Sequence, residues 1–313
     1  MDWGLYGKRH GRHFDPGLIC HLSMAGVAEG RVVSVPWMPH ELIEDQSSAV
    51  DEMARAVDSL GDIQAVGLGS LLAVVGSRGE ALARRTEVPV TSGAAATTWA
   101  ALQNTLRVLD ASGEQSVALL GFSGTVGEAL ATALSDSGVR VTVGGVGAAL
   151  ARRAKGLGIE MTSIEEAVRA HRVVIGAGTT GGIVDPQVFN PDSILLDVAL
   201  PSSLKKGPRP PGLLILAAEA MSLPEGWGRG FWGRLYHVLA GYGPSQIFAC
   251  LAEPMVMAAH GIEKPFAQGR KLPLEQVKLF GAAATELGLE ARLASGWRAV
   301  DTKRIIQIAS HSG

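Results

Sequence analysis

Cysteine is almost absent from this chain: Cys20 and Cys250 are the two present in 313 residues, far apart in sequence. That scarcity excludes a disulfide framework and a clustered thiolate metal site, so each cysteine is judged as a single thiol. Excess charge of one sign is lacking too, and a net charge of -2 offers no basic face for nucleic acid. No run approaches the roughly 18 apolar residues needed to span a bilayer. The opening MDWGLYGKRHGRH has no apolar signal core, so a cytoplasmic protein without a membrane span is expected. Internal repeats and the polar, charge-rich profile of disorder are also missing. Nothing in the pattern speaks to oligomeric state.

Apolar residues, at 47%, and glycine, at 40 positions without a collagen period, are abundant. Glycine at that level suits a fold with many tight strand-to-helix turns. The length exceeds what one hydrophobic core usually holds, so two packed units, or one large α/β unit with an appended piece, are expected. AVDEMARAVDSL has helical spacing, AVGLGSLLAVVG reads as a glycine-broken strand region, and EVPVTSG ends a short strand before the helix AAATTWAALQNTLRVL, which Thr91 or Ser92 is placed to cap. Residues 1–110 are therefore read as an N-terminal α/β substrate domain, with ASGEQ as the hinge out of it.

From SVALLG through DPQVFNPDSILLDVA the period alternates between strand and helix, and LLILA adds a further strand. Such a series calls for a Rossmann-like doubly wound parallel sheet with helices on both faces, assigned to residues 111–243. Residues 244–313 read as a C-terminal helical segment that carries Cys250.

GFSGTVG follows the apolar strand SVALL and opens the helix EALATAL. Gly121 permits the tight turn, Gly124 lets backbone approach a pyrophosphate, and Gly127 lets helix pack close to strand; Ser123, Thr125 and Val126 complete the loop. The spacing is G-x-x-G-x-x-G rather than G-x-G-x-x-G, so the strand-turn-helix context carries the assignment. An NAD site normally offers a carboxylate about 20 residues after the first glycine. Here that place holds Val143, Gly144 and Gly145, and Arg152, Arg153 and Lys155 follow, which favours NADPH; an ordinary solvated helix face is the competing explanation for the arginines. Gly176 and Gly178, in GAGTTGGIVDP, lie where the carboxyl edge of such a sheet faces ligand, or form a plain glycine-rich connection.

Cys250 sits in GYGPSQIFACLAEPMVM, a helix that Gly243 and Pro244 suit as a start, with Gln246, Glu253 and Met257 on its face. The block QIFACLAEPM closely resembles the cysteine helix of the long-chain acyl-(acyl carrier protein) reductases that form aldehydes. VGLGSLLAVV, VTSGAAATT, VALLGFSGTVG, VIGAGTTGGIVDP and ILLDVALPSSLKK resemble blocks of the same family in the same order. The resemblance implies NADPH-dependent reduction of an acyl thioester, on an acyl carrier protein or coenzyme A, through an acyl-enzyme on Cys250. This chain is shorter at its start, and Pro254 stands where alanine is expected, which removes the amide that would bond the Cys250 carbonyl.

The chemistry asks for further residues. His237 is the nearest base in sequence and a candidate proton donor, with a structural histidine as the alternative. Glu253 has the wrong charge to activate a thiol and is read as positioning a neighbour. Ser70, Thr91, Ser92 and Gly93 are candidate substrate contacts, the last three offering amides or hydroxyls to an oxyanion. Lys205, Lys206 and Arg209, or Arg78, Arg84 and Arg85, would give an acidic carrier a landing surface, or are plain surface charge. Two other functions fit the same outline: a dehydrogenase of a small alcohol or keto acid, like shikimate dehydrogenase and without a covalent intermediate, and a nucleotide-binding partner without turnover.

Overall fold

The computed structural model describes residues 17–24, 27–35, 37–199, 201–223, 246–296 and 298–310. The chain begins with an antiparallel pair, β1 (Gly17–Met24) and β2 (Ala28–Ser34). It continues through α1 (Pro39–Glu44), α2 (Gln46–Ser59), β3 (Val66–Gly67), the single turns α3 (Val75–Arg78) and α4 (Glu80–Ala83), and β4 (Val90–Thr91). β3 and β4 run parallel, with Val66 opposite Val90. Leu42, Val50, Met53, Val57, Leu68, Leu82 and Val90 fill the core between them and α2. AVGLGSLLAVVG yields only the two residues of β3 as strand, because Ser70–Val74 turns into a 3-10 helix.

The long helix α5 (Ala94–Ser112) leads into a series of strands and helices: β5 (Ser116–Leu120), α6 (Thr125–Asp136), β6 (Arg140–Gly144), α7 (Ala148–Gly156), β7 (Glu160–Thr162), α8 (Ile164–Ala170), β8 (Val173–Gly176), β9 (Ile194–Asp197) and β10 (Leu214–Ala217). These strands lie parallel in the spatial order β10-β9-β8-β5-β6-β7, the doubly wound Rossmann arrangement. SVALL, VVIG and ILLD are near-continuous apolar runs, as strands covered on both faces require. Leu119, Leu120, Leu195 and Leu196 are fully buried, each worth about 2 kcal/mol or more relative to exposure.

Beyond β10 the chain forms β11 (Ala220–Ser222), β12 (Gln246–Phe248), α9 (Ala249–His260), α10 (Leu274–Glu286), β13 (Glu290–Ala291), β14 (Ala294–Ser295), β15 (Arg298–Ala299) and α11 (Thr302–Ser310). β14 pairs antiparallel with β10 and β15 antiparallel with β14, extending the large sheet, and β11 is flanked by β12 and β13 in a small sheet. Within the described part of residues 244–313, expected as a helical segment, three helices alternate with short strands. Gln246–Phe248 does not continue a helix from Pro244 but pairs with Ala220–Ser222, Ala220 lying opposite Phe248. Long-range pairing overrides local helical spacing here. Gln246 consequently does not share a helix face with Cys250, which stands in the first turn of α9.

α5 joins the two cores. Its start, Ala94–Ala96 and Ala100, packs with α9 and α10, and Ala101, Val108 and Leu109 pack under the large sheet. Midway, the buried Asn104 Nδ2 donates to the carbonyls of Ala218, Ala220 and Arg292 at 2.8, 3.3 and 3.2 Å. One amide thus fixes the β10–β11 turn and the segment after β13 to a single helix. Among the described residues no helix is long and apolar enough to cross a membrane.

Candidate functional site

The order of connections reverses between β5 and β8, the point where doubly wound sheets bind ligands outside the carboxyl ends of their strands. The two glycine loops meet there. Gly121, at φ +88°, follows β5, and a Cβ on it would run into the backbone of Ala177 and Gly178. The Ala177 amide donates to the Leu120 carbonyl at 2.8 Å, holding the loops together. Gly127 is pressed against the Gly121 carbonyl, as close helix-to-strand packing demands. Gly124 differs: a Cβ there would meet only carbonyl oxygens at 3.5 Å or more, so the protein itself leaves that space open. No side chain caps α6, whose first residues are Thr125, Val126 and Gly127. An open backbone cradle over an uncapped helix N-terminus fits the diphosphate of a dinucleotide.

Gly176 ends β8 against the hydroxyl of Ser203 and the carboxyl of Asp197, and Gly178 faces the Thr180 carbonyl. Asp197 accepts from Ser202 Oγ at 2.6 Å, from Ser203 Oγ at 2.8 Å and from the Ser203 amide at 3.0 Å. Burial nevertheless leaves its carboxyl above the usual range, partly offset by those bonds. At the far end of the cleft, β6 ends in Gly144 and α7 starts after Gly147. The strand end and turn there, residues 143–147, carry no carboxylate to repel a 2′-phosphate. The guanidinium of Arg153, one of the two arginines expected to serve that corner, makes a two-point pair with Glu128 on α6, Nε to Oε1 at 2.8 Å. Arg152 is exposed and makes no ion pair among the described residues.

Cys250 lies against the N-terminal unit, beside β3 and β4. Gly93, at φ +72°, would place a Cβ 2.5 Å from that of Cys250, so only glycine lets β4 and α9 approach this closely. Gly67 is likewise pressed against the Pro254 ring and the Cys250 carbonyl. The Ser70 backbone adjoins the thiol and draws its pKa down, and Ser70 itself is held at φ +53°. Cys250 is half-buried; burial first, then the nearby Glu219, pushes its thiol up to about 12, against the lowering effect of backbone hydrogen bonds.

Glu253 is fully buried three residues on. Its Oε2 accepts from the Ala96 amide at 2.8 Å and its Oε1 bonds Thr91 Oγ1. Burial raises this carboxyl to about 7, against the lowering effect of those bonds. It caps α5 from a distance, which corrects the expectation that Thr91 or Ser92 does so; the N-cap residue is Gly93. Thr91 Oγ1 lies 3.0 Å from the Ala267 carbonyl and Ser92 Oγ 3.3 Å from it, so both hydroxyls face the protein interior rather than an oxyanion. The structure thus brings Ser70, Thr91, Ser92, Gly93, Cys250 and Glu253 into one cluster, and the glycine loops into another. Val126, in the first turn of α6, packs against the apolar cluster built on α5 and α9 and so links them. His237 lies outside the described residues.

Residues 112–178 match the family model described as "Acetohydroxy acid isomeroreductase, NADPH-binding domain". The aminotransferase PigE of Serratia sp. (strain ATCC 39006) is 28% identical over 305 residues, covering 90% of this chain and 34% of the relative, so the chain spans about a third of that protein's length. Among solved structures, shikimate 5-dehydrogenase of Thermus thermophilus with NADP(H) and shikimate is 15% identical, covers 68% of this chain and 62% of its own, and gives a TM-score of 0.31. Dipicolinate synthase A chain of Bacillus subtilis is 16% identical over 53% of this chain and 60% of its own, with a TM-score of 0.32. These matches correct the resemblance to long-chain acyl-(acyl carrier protein) reductases: the family model and the curated relative belong elsewhere. The chain carries an NAD(P)-binding domain of oxidoreductase type, and its cofactor is NADPH.

Proposed function

We propose that this chain interconverts a small carbonyl compound and its alcohol with NADPH, without a covalent enzyme intermediate. The observation that carries this reading is the setting of Cys250: half-buried and with Glu219 nearby, its thiol is pushed up to about 12 and is neutral near pH 7, whereas the thiolate is the nucleophilic form. The backbone of Gly121, Gly124 and Gly127 would hold the diphosphate, with Ser123, Thr125 and Val126 lining the same turn, and Arg152 would take the 2′-phosphate. Gly176 and Gly178 would border the nicotinamide end. NADPH bound there supplies hydride to an electrophilic carbon. The chain's own residues keep water out and move the proton, and His237 is the proposed donor to the oxygen that gains charge. Glu253, Thr91 and Ser92 are positioning residues: they tie α5, α9 and the segment at Ala267 into one rigid wall.

A second reading, reduction of an acyl thioester on Cys250, has one observation in its favour. Backbone at Gly67, Gly93 and the left-handed Ser70 is drawn tightly round this single side chain, and strained backbone clusters at functional sites. Intact-protein mass spectrometry after incubation with acyl-coenzyme A thioesters, without NADPH, separates the two. No adduct is expected; an acyl mass on wild type that Cys250→Ala abolishes would transfer the function to the second reading.

A further inference from the structure

The segment before α4 has an unusual conformation. Gly76, Ser77, Arg78 and Gly79 lie consecutively at φ +57°, +58°, +58° and +87°. A left-handed turn costs roughly 1–2 kcal/mol for each residue with a side chain, so Ser77 and Arg78 are held there against local preference. What holds them is the segment that follows Ala267: the Gly269 amide donates to the Arg78 carbonyl at 3.1 Å. The next residue, Arg270, accepts from Thr125 Oγ1 through its own carbonyl at 3.2 Å. Two hydrogen bonds therefore set Arg78 and Arg270 side by side over the first turn of α6, next to the glycine cradle.

Like charges are not brought together without compensation. Arg78 is half-buried, and burial, then the neighbouring Arg270, weakens its hold on its proton. Among the described residues neither guanidinium makes an ion pair or a side-chain hydrogen bond. The charged groups nearby are Glu80, whose carboxyl packs on Gly269, and the exposed Lys271, while Glu128 in the first turn of α6 is taken by Arg153. We propose that Arg78 and Arg270 form an anion site at the mouth of the dinucleotide cleft that takes a phosphate group. Two planar guanidiniums beside a helix N-terminus suit a tetrahedral dianion better than a single charge does. The phosphate comes from the diphosphate of the cofactor or from the substrate, and only the first source rests on the dinucleotide reading above.

The test is calorimetric titration of the full chain with inorganic pyrophosphate and with NADPH, in wild type, Arg78→Gly and Arg270→Gln. Glycine keeps the left-handed turn while removing the guanidinium, so a folding defect does not obscure the result. Pyrophosphate affinity is expected to fall about 10-fold or more in each variant. If NADPH displaces pyrophosphate and weakens in parallel, the site serves the cofactor. If pyrophosphate still binds NADPH-saturated wild type and the variants lose only that binding, it serves a substrate phosphate. Pyrophosphate that binds the variants as it binds wild type, or that does not bind wild type, overturns the proposal, and either result is distinct from failure of NADPH binding.

Discussion

Glu253→Gln tests the buried junction of α5 and α9 most sharply, because geometry and titration lead to the same expectation. Thr91 has one hydroxyl proton and two acceptors in reach, Glu253 Oε1 and the Ala267 carbonyl at 3.0 Å. If Glu253 carries a proton, it donates to Thr91, Thr91 donates to Ala267, and Oε2 still accepts from Ala96 at 2.8 Å. Every polar atom in that chain is then satisfied. A glutamine side chain reproduces the same donor and acceptor pattern. The carboxyl rises from 4.5 to about 7, so folding favours its protonated form. Its contribution to stability is fully present below pH 4.5 and is lost as pH climbs through 7. At about 1.4 kcal/mol per tenfold step, the loss is about 3 kcal/mol at most. The amide of the variant has no such titration. Thermal unfolding of wild type and Glu253→Gln at pH 4.5 and pH 8.5 should therefore give equal midpoints at the lower pH. At the higher pH the variant should melt on the order of 5 °C above wild type. A variant destabilised equally at both pH values would refute the neutral-carboxyl account.

Other perturbations have equally definite outcomes. Gly93→Ala forces a side chain into Cys250 at a left-handed position and should cost about 3 kcal/mol or more, read by urea unfolding; wild-type stability would contradict the packing described. At Gly124 an added Cβ meets only neighbouring carbonyls at 3.5 Å or more, so the melting temperature of Gly124→Asp should hold while NADPH affinity drops at least about 10-fold. Arg152→Ala should raise the Michaelis constant for NADPH and leave that for NADH alone, whereas Arg153→Ala, already committed to Glu128, should change little. Labelling of Cys250 with iodoacetamide at pH 8 should be far slower than that of a free thiol; rapid, complete labelling would show that the thiol is not held neutral.

The parts legible in the sequence are those whose cause is local. The strand SVALL, the three glycines after it and the helix beyond lie within one short stretch, so period and turn chemistry suffice to place the cofactor loop. The same holds for the alternation through β9. What escaped depends on contacts between distant segments. Gln246–Phe248 becomes a strand only because β11 offers it an edge. Arg153 is withdrawn from the 2′-phosphate corner by a carboxylate on another helix. The cap of α5 comes from Glu253 on α9, and no spacing rule connects Ala96 to it. Arg78 and Arg270 meet through a left-handed turn, a conformation that Ser77 and Arg78 do not advertise.

The account depends on hydride exchange from NADPH that needs no sulfur nucleophile. NADPH oxidation by wild type and Cys250→Ala, followed by the loss of nicotinamide absorbance over a panel of small ketones, aldehydes and keto acids, measures that directly. Equal turnover by both proteins on a responsive carbonyl is the predicted result. Turnover by wild type that disappears with the thiol would contradict it.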